Sequence, residues 1–157
     1  MKALELAAYV VDKCVNDPSL SITNLQLQKI MYFLQIRALK DNPCKPIIED
    51  ENFEAWKFGP VLTHVYYTYC FNGGLDIDKY ILGDEENVLP RSSDVLPFVD
   101  ELVDKALKAK PWKLVALTHK EDGAWKKAIS KGYNTEISMV DMIEESKNFN
   151  EDCFLED

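Results

Sequence analysis

The residues best suited to chemistry in this sequence are two histidines and four cysteines. His64 and His119 are the only histidines, and a general base or a metal site would need one of them beside a Cys, Asp or Glu side chain. The cysteines are scattered and include no Cys-x-x-Cys pair, at positions Cys14, Cys44, Cys70 and Cys153. This spacing predicts neither a zinc site nor a disulfide framework, and it is typical of reduced thiols.

Two kinds of hydrolase stay open as alternatives, one using a Cys–His pair and one using an acidic pair. However, Cys14 and Cys70 fall on apolar helix faces, where thiols are buried and inert. His119 follows Thr118 at a predicted helix end, where its side chain suits the terminal carbonyl groups. The sequence contains no Gly-x-Ser-x-Gly motif, phosphate loop or dinucleotide fingerprint. We therefore predict that the protein is not an enzyme and needs no cofactor or metal.

Composition and charge point to a globular protein with a protein partner. The 157 residues are 46% hydrophobic and 29% charged, which is ordinary globular usage and predicts one domain over residues 1–157. The formal net charge of -9 repels phosphate backbones, so we expect no nucleic-acid binding and favour a basic partner. The sequence has neither the apolar start of a signal peptide nor a stretch long enough to span a membrane, so we expect a cytoplasmic location.

The elements that must position these residues are mostly helices. Apolar residues recur at helical spacing, and turn or capping residues separate the segments, over 3–15, 23–40, 60–71, 93–109, 112–117, 123–129 and 139–147. Thr23 with Gln26 forms a capping-box pattern, and Ser138 caps the last helix. Residues 46–48 and 52–56 flank an acidic turn and predict a hairpin. We expect a mainly α fold of about six or seven helices with a small β-hairpin.

Three aromatic residues fall outside the main apolar arcs of their helices. The second helix carries two apolar stripes, and Phe33 lies in the polar strip between them. Tyr67 and Phe71 lie on the polar side of the third helix. Because exposed aromatic side chains are enriched at binding hot spots, we predict partner contacts for Phe33, Tyr67 and Phe71. The alternative is that neighbouring helices cover them.

Three segments, spread over most of the chain, resemble the SocA/Panacea antitoxin domain family. They are residues 23–35, which include Leu27-Gln28-Lys29, the string Ala55-Trp56-Lys57-Phe58-Gly59-Pro60-Val61, and Leu117-Thr118-His119 followed by Trp125. The order and spacing of all three match the family pattern. The second string is the most specific of them. Gln26 stands where the family often has Lys, and Ile30-Met31 replace a more usual Leu-Leu pair.

Most of these motif residues have a structural interpretation. Gln28 is expected to form hydrogen bonds within the protein, because it lies between two apolar stripes. Trp56 and Trp125 are large enough to seal the core. Gly59 can adopt an unusual backbone angle, and Pro60 suits the first turn of a helix.

The resemblance implies a function that the residues alone do not. Members of the family act as antitoxins that neutralise a toxin encoded in the adjacent gene, by direct binding, and many lie in prophages. Others act as adapters that deliver the toxin to an AAA+ protease. We therefore expect a toxin as the partner, with a cellular protease as a second partner in the adapter alternative, while the oligomeric state stays open.

Overall fold

The longest helix, α2, forms the centre of the fold. The computed structural model describes residues 1–156. Helix α2 spans Asn24–Asp41 and begins with the expected capping box, in which the Thr23 hydroxyl accepts from the Gln26 N–H at 3.2 Å and Gln26 Oε1 accepts from the Thr23 N–H at 2.9 Å. It is buried on both of its apolar stripes because other helices and the hairpin pack around it.

The described residues form seven α-helices and a small three-stranded antiparallel sheet, so the fold is mainly α as predicted. In chain order the elements are α1 (Ala3–Val15), α2, β1 (Glu54–Trp56), β2 (Gly59–Val61), α3 (Thr63–Thr68), α4 (Phe98–Lys108), α5 (Pro111–Thr118), α6 (Ala124–Ile129), β3 (Thr135–Glu136) and α7 (Met139–Ser146). Short 3₁₀ turns cover Cys70–Asn72, Ser92–Asp94 and Glu151–Leu155. The buried side chains form one cluster that includes residues from Ala3 to Phe154.

The hairpin lies further along the chain than predicted. Strand β1 pairs with β2 in the register Glu54 to Val61 and Trp56 to Gly59, and it pairs on its other side with β3. The predicted first strand, 46–48, was wrong because a side chain takes its hydrogen bonds. Gln35 Nε2 donates to the Ile48 carbonyl at 3.1 Å, and Gln35 Oε1 accepts from the Ile48 N–H at 3.0 Å. The buried amide thus replaces a neighbouring strand.

Pro60 also corrects the sequence prediction. It does not open a helix, since it lies in β2, which is the edge strand of the order β2-β1-β3. Proline is tolerated on an edge strand because no second neighbour needs its missing N–H. The third helix therefore starts at Thr63 and ends at Thr68. The fourth begins at Phe98 instead of residue 93, because Pro97 disfavours helical geometry at the residue before it.

Candidate functional site

A buried hydrogen-bond network joins the start of α2 to the hairpin and to α3. Gln28 Nε2 donates to Asn24 Oδ1 at 3.0 Å, and Gln28 Oε1 accepts from the Leu62 N–H at 2.9 Å. Asn24 Nδ2 donates in turn to the Tyr66 carbonyl at 3.0 Å. Buried amides are costly unless they are paired. This network therefore fixes the position of the hairpin and of α3 relative to α2.

Lys29, the next residue of α2, is a buried lysine. Its side chain is 1% exposed, and its Nζ donates to the Pro60 carbonyl at 3.1 Å. Among residues 1–156, no carboxylate lies within 4.0 Å of this ammonium group. Burial disfavours the charged form and lowers the pKa of Lys29 to about 7. The lysine therefore exchanges between charged and neutral forms near neutral pH.

Gly59 makes room for this lysine. Its φ of +116° lies in the region that L side chains avoid, as the sequence predicted for this position. A Cβ there would lie 2.7 Å from Thr118 Oγ1 and 2.8 Å from Lys29 Cε. The bare backbone thus lets α2, the hairpin and α5 meet at one point.

The last residues of the family motif lie at the end of α5 and on α6, and they are Thr118, His119 and Trp125. Trp125 Nε1 donates to the Trp56 carbonyl at 2.9 Å, and the Trp125 indole stacks on the His119 imidazole with ring centroids 3.7 Å apart. Thr118 is buried, and its hydroxyl donates to the Val115 carbonyl at 2.7 Å. Burial lowers the pKa of His119, and the positive charges of Lys29 and Lys126 lower it further. The imidazole of His119 is therefore mostly uncharged at pH 7 and above.

The family-motif residues thus lie in the hairpin and on, or at the end of, the helices that pack against it. Leu27 and Val61 complete the set as buried apolar side chains. Trp125 is buried, whereas Trp56 is half-buried and keeps one part of its ring at the surface. The motif builds the junction between α2, the hairpin, α5 and α6.

A cavity of about 500 Å³ opens beside this junction. It lies between the start of α2, the hairpin, α3 and the start of α5, and Lys29 and Gln28 line it together with residues of these elements. Four aromatic side chains also line it, namely Trp56, Phe58, Tyr66 and Trp112. The cavity therefore combines aromatic walls with a buried amine.

The aromatic side chains around the cavity continue onto the surface. Trp56 lies 5.0 Å from Tyr66 and 6.2 Å from Tyr67 between ring centroids, and Phe58 lies 5.5 Å from Trp112. Tyr67 and Trp112 are both 62% exposed, and Phe58 is also exposed. We call these five residues, Trp56, Phe58, Tyr66, Tyr67 and Trp112, the aromatic surface. Exposed aromatic clusters of this kind mark interaction sites.

The three aromatic residues predicted to contact a partner have different positions. Tyr67 belongs to the aromatic surface. Phe71 is 83% exposed but lines a different cavity with Tyr69 and Ile77. The predicted exposure of Phe33 was wrong. It is 3% exposed because Phe149 and Phe154 of the C-terminal segment cover it, at 5.6 Å and 5.0 Å between ring centroids.

Sequence reasoning missed Phe58 and Trp112. For Trp112 a signal was present, because a helical plot of α5 places it about 200° from the buried Leu114. For Phe58 there was none, since its exposure depends on the two-residue turn between β1 and β2.

The cysteines differ in their exposure. Cys14 is buried as predicted, and burial raises the pKa of its thiol to about 11. The predicted burial of Cys70 was wrong: it is exposed, because α3 ends before it and the chain turns through a 3₁₀ segment. Among residues 1–156, no group of three or more His, Cys, Asp or Glu side chains is placed to hold a metal ion.

The fold and the site together define a mainly helical domain that presents an aromatic surface beside a buried lysine. The chain belongs to the Antitoxin SocA-like, Panacea domain family, whose model matches residues 27–126. The resemblance inferred from the motifs is thereby confirmed, and the matched residues include all ten motif positions. Helices α1 and α7 lie outside the match.

A curated relative supports the same family. Antitoxin SocA of Caulobacter vibrioides (strain NA1000 / CB15N) is 33% identical over 125 residues, which cover 75% of this chain and 65% of that relative. The chain thus spans just under two thirds of the length of this relative. No solved structure matches the chain. Within residues 1–156, no helix combines the length and apolar character needed to cross a membrane.

Proposed function

We propose that this chain is an antitoxin that binds a toxin encoded in the adjacent gene and neutralises it by direct contact. Membership of the family and the similarity to Antitoxin SocA support this proposal. We further propose that residues 1–157 act as one domain in the cytoplasm. The single cluster of buried side chains that includes residues from Ala3 to Phe154 supports the first part.

The aromatic surface is the observation that carries the proposal. Exposed tryptophan, tyrosine and phenylalanine side chains leave apolar area in water, which a partner would remove. Tyr and Trp also give large contact area at little cost in side-chain entropy, and they are enriched at interface hot spots. Phe58, Tyr67 and Trp112 would form the exposed part of this contact.

The charge of the chain supports a basic partner. Acidic residues outnumber Lys and Arg by 27 to 18, and the net charge of -9 attracts a positively charged protein over a distance. Such attraction raises the rate of association, whereas the apolar contacts set how long the complex lasts. Salt is therefore expected to slow association more than it speeds dissociation.

Co-expression with the adjacent gene tests the function. The neighbour alone should stop growth, and growth should return when this chain is present. A harmless neighbour, or one that stays toxic in the presence of this chain, would contradict the proposal. The half-life of the toxin separates direct neutralisation from the adapter alternative, because an adapter shortens that half-life in a protease-dependent way.

We also propose that neutralisation is binding without catalysis. A variant in which both histidines and all four cysteines are replaced tests this, with Cys14→Ala chosen for a buried position and His119→Gln for a half-buried one. If this variant folds, it should still neutralise the toxin. Loss of neutralisation with toxin binding intact would favour the hydrolase alternative instead.

A further inference from the structure

The cavity beside the hairpin has a charge opposite to that of the chain as a whole. Two lysines, Lys29 and Lys57, are among its lining residues, and these include neither Asp nor Glu. The sequence nevertheless carries 27 acidic residues against 18 basic ones. A basic cavity in an acidic protein favours an anionic group from outside.

Within residues 1–156, Lys29 does not use its full hydrogen-bonding capacity. A lysine ammonium has three donors, and among residues 1–156 it donates to one acceptor, the Pro60 carbonyl. Its side chain lines the cavity although it is 1% exposed. A buried cation without an anionic partner is costly, so a carboxylate placed there would gain a strong charge-assisted hydrogen bond.

The walls of the cavity indicate what should accompany this carboxylate. Four aromatic rings line the cavity, and those of Phe58 and Trp112 are also exposed at the surface. A free anion would leave these rings uncovered. A protein segment that carries an acidic side chain next to an apolar one would fill both parts of the site.

We propose that the cavity receives an Asp or Glu side chain of the toxin, which pairs with Lys29 while a neighbouring apolar side chain packs on the aromatic surface. This inference rests on the proposed antitoxin function. It assigns the lysine of the family motif to partner recognition, in addition to its contact with Pro60. It also predicts that the basic toxin contributes at least one essential acidic residue.

Proton uptake is the measurable consequence. The pKa of Lys29 in the free chain is lowered to about 7, and a carboxylate beside it favours the charged form. The complex therefore takes up a proton above pH 7, and the affinity falls by up to about tenfold per pH unit until the bound lysine also loses its proton. The other titratable groups near Lys29 are Lys57 and Tyr66, which line the same cavity, and His119, whose pKa the charge of Lys29 lowers.

The first experiment follows the ¹³Cε chemical shift of Lys29 against pH, in the free chain and in its complex with the adjacent-gene product. The signal is assigned with Lys29→Met. The pKa of Lys29 should rise by at least about one pH unit in the complex. Addition of acetate to the free chain serves as the comparison, and it should leave the pKa near 7.

The second experiment measures the dissociation constant from pH 6.5 to pH 9. Wild type should weaken with rising pH, whereas Lys29→Met should bind at least about tenfold more weakly at pH 6.5 and change much less with pH. Lys57→Met and His119→Gln test two of the three other titratable groups, since each variant should keep the pH dependence of wild type.

The outcomes separate this inference from the function on which it rests. If no complex forms, both proposals are wrong. If the complex forms while the pKa of Lys29 stays near 7, the function stands and the carboxylate contact is wrong. If acetate alone raises the pKa of Lys29 as far as the toxin does, the cavity is a site for small carboxylates and not for a partner side chain. Should Lys29→Met fail to fold, triple-resonance spectra of the wild-type chain assign the Lys29 signal, and its titration still decides.

Discussion

The backbone of Gly59 passes so close to Lys29 that a methyl group on Gly59 would come within 2.8 Å of the lysine Cε. Two residues that lie on different elements, thirty positions apart in the sequence, thus depend on each other. The glycine provides the space through which the lysine side chain reaches the Pro60 carbonyl and the cavity.

Gly59→Ala is expected to destabilise the protein by about 3 kcal/mol or more, because it combines backbone strain at φ +116° with close contacts to Thr118 and Lys29. Urea denaturation measures the loss. Gly74→Ala is the matched control, since nothing lies within 4 Å of its would-be Cβ and its backbone angle is permitted. Equal stability of the two variants would show that the hairpin relaxes freely.

Lys29 should make stability depend on pH. In the folded chain its pKa is about 7, compared with the ordinary value of 10.5. Between these two values the unfolded chain binds a proton that the folded chain does not, so the free energy of unfolding rises with pH by up to about 1.4 kcal/mol per unit. Below pH 7 both states hold the proton, and this contribution no longer changes.

Lys29→Met should remove that slope and increase stability at pH 7, since an apolar side chain of similar length replaces a buried amine. Denaturation curves at pH 7 and pH 9 measure both effects. Lys131→Met, at an exposed position, should keep the slope of wild type. A slope that survives in Lys29→Met would assign the pH dependence to another group.

Phe33→Ala should cost about 3 to 5 kcal/mol of stability, because Phe33 packs between Phe149 and Phe154 in the core. Phe71→Ala is the control, since that ring is 83% exposed and its loss should change stability by less than about 0.5 kcal/mol. Thermal unfolding compares the two. Similar melting temperatures would contradict the packing of Phe33.

The aromatic surface should contribute to toxin affinity and not to stability. Tyr67→Ala and Trp112→Ala are each expected to weaken binding by about 1 to 3 kcal/mol, mostly through faster dissociation. Surface plasmon resonance with the adjacent-gene product measures this. Tyr133→Ala removes an aromatic ring that is also exposed but lies outside the surface, and it should bind like wild type. A toxin that binds all three variants equally well must contact another face.

Local sequence patterns predicted the helices better than the sheet. The first helix was predicted at the bounds that it has, and the caps at Thr23 and Ser138 form as expected, because these signals involve residues three or four positions apart. The hairpin was placed too early. Residues 46–48 have the composition of a strand, but Gln35 supplies their hydrogen bonds from a helix, and no local pattern contains that information.

The candidate site was predictable as a set of motif residues and not as a surface. The sequence by itself determined the mainly helical fold, the family and the positive φ at Gly59, since periodicity, capping and backbone geometry act over short distances in the chain. Only the tertiary structure decided that Phe33 is covered, that Phe58 is exposed, and that Lys29 lines a cavity. Exposure depends on which distant segment packs on a helix face, and here Phe149 and Phe154 cover the side of α2 that carries Phe33.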